Sequence, residues 1–415
     1  MKKRNYLKLI IIATLFPGVF VNCSSFNDIL DAKKVEPLQT EINIKMELEG
    51  FDSPEGLSIV LVNYLENIRI EKEFSGLSVA LDNVIPGIYT ITISGKASDN
   101  QGQLYYLNGG LVNQPLIENN ETVEITVSGL KISPLVFKEI YYAGSMPNYF
   151  RDQFYEIYNN SDSTLYLDGI YFAALHPTAA TEKLPVWPES DENKYVYTER
   201  LWKFPGSGNE YPLKPGESCV VSQFAANHQL DIYNPNSPVD CSSSEFEFNM
   251  NNKNFPDQPA YDMVHVFYNG SSAMGTVPQY LTSVFGGAYV IFQIPENVPY
   301  DPVNDKSLQT RDLSSSSTRV YAKIPIQYVL DGVEAGHNET MVKAKRMPVV
   351  LDAGMTYVGG TYNSLGVARK KIGENEDGTP ILQDTNNSTD DFDRGLRPML
   401  RRYGAKMPSW NHTLR

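Results

Sequence analysis

The sequence predicts an all-β protein built from two β-sandwich domains, and three observations carry that expectation. Apolar residues alternate with polar ones in short runs, among them Ile42, Ile44, Met46 and Leu48, then Leu57, Ile59 and Leu61, then Val123, Ile125 and Val127, which is the period of a half-buried strand. Turn formers punctuate the runs, as at Pro86-Gly87, Pro215-Gly216 and Asp331-Gly332. No amphipathic run of helical length stands out, although Pro278 to Phe285 has room for a helical turn or two. At 415 residues, 41% of them hydrophobic, the chain is long enough for two cores.

The N-terminus reads as an export signal. Lys2, Lys3, Arg4 and Lys8 precede the apolar run Leu9 to Val21, too short to span a bilayer but suited to secretion. Val21-Asn22-Cys23-Ser24-Ser25 resembles a bacterial lipobox, with Asn22 where Gly, Ala or Ser is usual. The resemblance implies a signal peptide over 1–22, diacylglycerol on Cys23 and a tether over 23–39. Otherwise the segment is an ordinary cleaved signal followed by a free thiol. Removing the signal takes Lys+Arg from 35 to 31 against 49 Asp+Glu, and the net charge from −14 to −18. That balance argues against nucleic acid and against adsorption on anionic lipid, so a lipid on Cys23 would have to hold the protein to a membrane. Only Asp28 and Asp31 follow Cys23 closely, so which face of the membrane it occupies is left open.

Residues 40–132 are expected to form the first sandwich. Within it Pro86-Gly87 turns into the strand Ile88 to Ile93, with Tyr89 on one face. This Pro-Gly-x-Tyr turn resembles that of prealbumin-like or carboxypeptidase-regulatory Ig-like modules, a resemblance that implies a spacer.

Residues 133–415 are expected to form the second sandwich, with long insertions. Leu135 to Tyr142 is a strand, and Phe154 to Phe172 reads as a β-hairpin about the turn formers Asn159, Asn160, Ser161 and Asp162. The stretch 177–211 reads as a long loop in which Trp187, Tyr195, Tyr197 and Trp202 lack strand periodicity, so these four rings are candidates for a recognition surface. Further strands are expected at Ser218 to Phe224, Met263 to Tyr268, Ala288 to Ile294 and Val320 to Leu330, with Asp331-Gly332 turning after the last. Cys219 and Cys241 are left either to pair, closing a loop of roughly 20 residues that a chain-entropy model values at about 3 kcal/mol, or to stay free as small buried groups.

Five motifs then occur in order: Glu156-Ile157-Tyr158-Asn159, Leu167-Asp168-Gly169, Pro215-Gly216-Glu217, Ser364 to Arg369, and Asp384-Thr385-Asn386-Asn387-Ser388 to Phe392. Together they are similar to the lamin-tail family of Ig-like sandwiches, here with long insertions and with Gly366-Val367 padding the fourth motif. With the lipobox and the leading sandwich, the chain resembles a family of Bacteroidetes outer-membrane lipoproteins of unknown function. That resemblance implies envelope work and help with uptake beside a TonB-dependent receptor; it does not imply catalysis.

The residues agree that chemistry is sparse. There is no G-x-x-x-x-G-K-[ST], H-E-x-x-H, C-x-x-C or G-x-S-x-G, and His176, His228, His265, His337 and His412 are too dispersed for a local metal set. A serine or cysteine nucleophile and its base would meet in space rather than in sequence, and nothing points to such a pair. Asp384, Asn386, Asp390 and Asp391 crowd hard oxygens into one segment; the readings are calcium or, favoured, a structural turn bonding its own amides, with Arg369 as ion-pair partner. Arg394, Arg397, Arg401 and Arg402 are either an anion surface or, favoured, a closing segment neutralising nearby acids. The expected function is a non-catalytic, lipid-anchored envelope protein without a cofactor, binding a ligand or an outer-membrane protein. The alternatives are a hydrolase or carbohydrate-processing enzyme with a site in the C-terminal loops, or a structural adhesin.

Overall fold

The computed structural model describes residues 35–46 and 54–413, apart from Glu182, Glu192 and Asn254. The signal, Cys23 and most of the tether lie outside the described residues. The protein is all-β.

Residues 38–131 form one seven-stranded sheet, ordered Ile68–Phe74, Glu55–Asn63, Gly87–Ser98, Leu104–Leu116, Glu121–Lys131, Leu38–Met46, Ser78–Val84. Leu38–Met46 runs parallel to Glu121–Lys131, with Ile42 opposite Val123 and Ile44 opposite Ile125. The sheet curls so that Ile42 and Leu81 from one end share a core with Ile59 and Ile91 from the other. One face is packed and the other wet, so buried and exposed residues alternate along Leu38–Met46. The edge strand Ile68–Phe74 carries Arg69, Glu71, Lys72 and Glu73, charges that discourage pairing with another chain. Tyr89 is fully buried behind the Pro-Gly turn, its hydroxyl donating to the Ile85 carbonyl at 2.7 Å.

Beyond residue 134 two larger sheets face each other. One runs Gln309–Thr310, Tyr321–Pro325, Tyr195–Lys203, Tyr171–Leu175, Ala288–Phe292, Val329–Gly336, Thr356–Tyr357, with Val264–Tyr268 also paired to Tyr195–Lys203. The other runs Tyr261–Asp262, Phe246–Glu247, Ser218–Ser222, Phe154–Asn159, Leu135–Tyr141, Gly366–Arg369, Phe392–Leu396. Phe137, Tyr155, Phe172, Trp202, Phe248 and Tyr289 fill the space between them. Both outer faces are covered as well. Met347, Leu351 and Leu130 pack on the first sheet, and Leu382 and Ala405 pack over Val136 and Tyr158 on the second.

Four elements depart from the sequence expectation, and burial on both faces explains the first three. Every residue of Phe154–Asn159 is buried, and such a strand has no period to reveal its partner. It pairs with Leu135–Tyr141 and Ser218–Ser222, while Tyr171–Leu175 lies in the opposite sheet, so the expected hairpin is instead a crossing between sheets. Nine residues of the expected loop 177–211 form the strand Tyr195–Lys203, paired on both sides. Asp331 and Gly332 sit inside the strand Val329–Gly336 rather than in a turn. Pro278 to Phe285 forms no helix; the Thr282 backbone is held by the Gln153 side chain, which donates to its carbonyl at 3.3 Å and accepts from its N–H at 3.2 Å.

The basic segment near the C-terminus closes this sandwich. Arg402 Nε lies 2.7 Å from Glu139 Oε2, and Arg401 pairs with Glu245, so two of the four arginines neutralise buried acids. Lys138 and Glu156, almost wholly buried, pair at 3.1 Å beside them.

Candidate functional site

The strand Tyr195–Lys203 and the loop before it build a cleft of about 580 Å³. Trp187, Tyr195 and Tyr197 line it together with His176, Glu189 and Arg346. The loop turns through Glu189–Asp191, which delivers Asp191 to Lys323 at 2.7 Å. The indole of Trp187 lies flat on Tyr197, ring centroids 3.9 Å apart and planes 19° from parallel. Tyr321 meets Trp187 edge-on at 5.4 Å, and His176 packs on Tyr321 at 4.2 Å. Tyr197 is buried beneath this stack, whereas Trp187 and Tyr195 are half-buried and Glu189 and Asn193 exposed.

The polar wall comes from distant parts of the chain. Arg346 Nε donates to Glu334 Oε1 at 2.8 Å and Nη1 to the Pro177 carbonyl at 2.9 Å. Its Nη2 has no partner among the described residues, and neither has His176 Nδ1. Burial pushes the Glu334 carboxyl up, but Arg346 and Lys345 outweigh it and hold the group below its ordinary range. Burial drives His176 down to about 4, with Arg319 and Arg346 reinforcing the shift and Asp312 opposing it. The imidazole is therefore neutral at physiological pH.

Three of the four rings named from the sequence meet in this cleft, and the fourth does not. Trp202 is fully buried in the inter-sheet core against Phe248 and Tyr280. The sequence carried no sign of the contribution of His176 and Arg346, which tertiary packing alone brings to the rings.

The acidic segment spends its oxygens on the protein. Asp391 accepts from the Thr385 N–H and hydroxyl, both at 2.8 Å, and from the Asn387 N–H at 3.2 Å. Asp384 Oδ1 pairs with Arg369 at 2.8 Å, and Asp390 accepts from the Asn387 amide at 2.8 Å. Asn386 takes a left-handed turn at φ 53°. A different acidic group, invisible in the sequence, gathers where strand register sets Glu247 opposite Asp262 with Asp257 beside them. Its buried member Glu247 already accepts from the Ala225 and Gln258 amides at 2.8 and 2.9 Å. Burial, with Asp262 and Asp257 adding, raises Glu247 to about 7 against those amides.

Cys219 and Cys241 do not form the disulfide considered from the sequence. Both are free thiols in the core, where burial raises their pKa, and Cys241 Sγ sits 3.9 Å from the Asp152 carbonyl. A larger cleft of about 830 Å³ runs beside Lys131 to Leu135. Asp168 in its wall is occupied by the Gly208, Glu210 and Tyr211 N–H groups at 3.1, 2.8 and 2.9 Å. The cleft at Trp187 therefore offers more to a ligand. No helix among the described residues is long and apolar enough to cross a membrane.

A family model described as protein of unknown function DUF4876 matches residues 214–399. The crystal structure of a DUF4876 family protein from Bacteroides thetaiotaomicron is similar at 59% identity, covering 91% of this chain and 100% of that one, with a TM-score of 0.67. A candidate adhesin from Bacteroides ovatus aligns at 10% identity over 72% of this chain and 85% of its own, with a TM-score of 0.18. No curated protein matches.

Proposed function

The chain belongs to the DUF4876 family of proteins of unknown function, and we propose that it is a non-catalytic binding protein of the cell envelope. In this reading a lipid on Cys23 holds it to the outer membrane and the 40–132 module is a spacer. The lamin-tail-like module over 133–415 presents the binding site, its likeness resting on the five motifs. The observation that carries the proposal is the cleft in which half-buried Trp187 and Tyr195 meet exposed polar groups, the usual pattern of a small-ligand site. A TonB-dependent receptor as partner rests on resemblance to outer-membrane lipoproteins.

The alternative of a carbohydrate-processing enzyme draws on Glu189 and Asp191, two carboxylates beside an aromatic floor. Asp191 is tied to Lys323 and Glu189 is exposed, so neither is the desolvated acid that such chemistry uses. Binding is the better-supported reading.

The test has two arms. Metabolic labelling with an alkynyl fatty acid should mark the wild type and not Cys23→Ser. Full-length protein purified from detergent-solubilised envelopes should bring down an outer-membrane partner or ligand that Trp187→Ala loses. Labelling that survives Cys23→Ser sinks the anchor, and capture indifferent to Trp187→Ala sinks the cleft.

A further inference from the structure

The charges in the cleft cancel almost completely. Asp191 is neutralised by Lys323 at 2.7 Å and Arg346 by Glu334 at 2.8 Å, and the half-buried imidazole of His176 is uncharged at neutral pH. Among the described residues lining the cleft, Glu189 alone remains as an uncompensated charge, exposed and therefore screened. No cationic surplus awaits an anion, and the net charge of −14 on the whole chain repels one. A single screened carboxylate is a poor anchor for a cation.

The cleft holds aromatic surface and groups that both give and take hydrogen bonds. One face of Trp187 is taken by Tyr197, yet the ring is only half-buried and keeps surface toward the cleft it lines. Tyr195 and Tyr197 bring their hydroxyl-bearing rings to the cleft lining, and the exposed Asn193 offers a donor and an acceptor beside them. A ligand suited to this wall has an apolar face to lay on a ring and many neutral groups that donate and accept. Sugars combine these features, since the C–H face of a pyranose is apolar and its rim is hydroxyls. The volume of about 580 Å³ lies in the ordinary range of small-ligand sites.

We infer that the cleft binds a neutral glycan, one sugar ring lying against Trp187 with its hydroxyls meeting Asn193, Tyr195 and Tyr197. This rests on the cleft being the protein's binding site. Recognition is by stacking and neutral hydrogen bonds, so it is insensitive to salt.

The test is titration calorimetry on the full-length protein in detergent. The neutral probes are oligosaccharides of α-glucan, β-glucan and α-mannan; the charged ones are polygalacturonate, heparin and an acidic and a basic peptide. The expected result is that a neutral oligosaccharide binds, with affinity unchanged between low and high salt. Trp187→Ala should weaken it about tenfold or more, the loss of one good ring contact. Asn193→Ala should weaken the same probe; Asn193 is exposed but takes a left-handed φ of 57°, which disfavours alanine, so thermal melts are run to show both variants folded. If the Trp187-dependent probes are the charged ones, the glycan inference is overturned while the cleft remains the binding site. If no probe binds in a way that Trp187→Ala or Asn193→Ala alters, both fall. Cleavage of the bound oligosaccharide would also overturn a purely binding role.

Discussion

Arg369 Nη2 lies 2.7 Å from Asp331 Oδ2, an ion pair between the two facing sheets of the larger sandwich with both side chains almost fully buried. The same guanidinium reaches Asp384 at 2.8 Å and Asp391 at 3.4 Å, and its Nε donates to the Phe137 carbonyl at 2.8 Å. One cation thus ties each sheet and the acidic turn together. Arg369→Met would leave three carboxylates without their counter-charge, and an expected loss of about 3–5 kcal/mol follows. Arg369→Lys should recover only part of it, because an ammonium cannot reproduce the fork. Urea midpoints at constant m-value would read this, and a loss under 1 kcal/mol would show that the cluster is incidental.

Asp152 makes stability depend on pH in the less familiar direction. Its carboxyl is raised to about 6 by burial, against the pull of hydrogen bonds from Ser237, Ser145 and Tyr141. The folded state therefore holds the proton more tightly than the unfolded chain, whose ordinary value is 3.8. Its stabilising contribution is complete below that value and is lost as pH rises through about 6, roughly 3 kcal/mol in all. His228 works oppositely: burial holds it at about 4 against an ordinary 6.5, so its contribution is lost as pH falls through that window. Because the two slopes oppose, a single stability curve will not separate them. Subtracting the Asp152→Asn curve from the wild type should isolate a difference that turns against the wild type between pH 4 and 7. A flat difference would refute the assignment.

The two core thiols should be chemically silent in the native state. Cys219 and Cys241 are fully buried and burial disfavours their thiolates, the reactive forms. A thiol reagent is expected to label neither in buffer and both in guanidinium, with Cys23 replaced by Ser to remove its signal. A non-reduced digest showing a Cys219–Cys241 peptide would contradict this.

The legibility of the chain follows burial. In 38–131 one face of the sheet is wet, so the strands Leu38–Met46, Glu55–Asn63 and Glu121–Lys131 announce themselves by alternation. In Leu135–Tyr141 and Phe154–Asn159 every residue is buried. Strand character survives there as a run of β-branched and aromatic residues, but the partner does not, and a sheet crossing reads as a hairpin.

From sequence alone came the all-β class, many of the strands, the family-like motifs and three of the cleft's rings. Trp187, Tyr195 and Tyr197 stood out as rings in a stretch read as lacking strand periodicity, though Tyr195 and Tyr197 proved to be strand residues. The tertiary structure decided which rings face solvent and which, like Trp202, are core. It also decided that Glu334 neutralises Arg346 and that burial leaves His176 uncharged. The reason is physical: periodicity encodes which side of a strand is apolar, whereas charge compensation and desolvation depend on groups that meet only when sheets far apart in sequence close on one another.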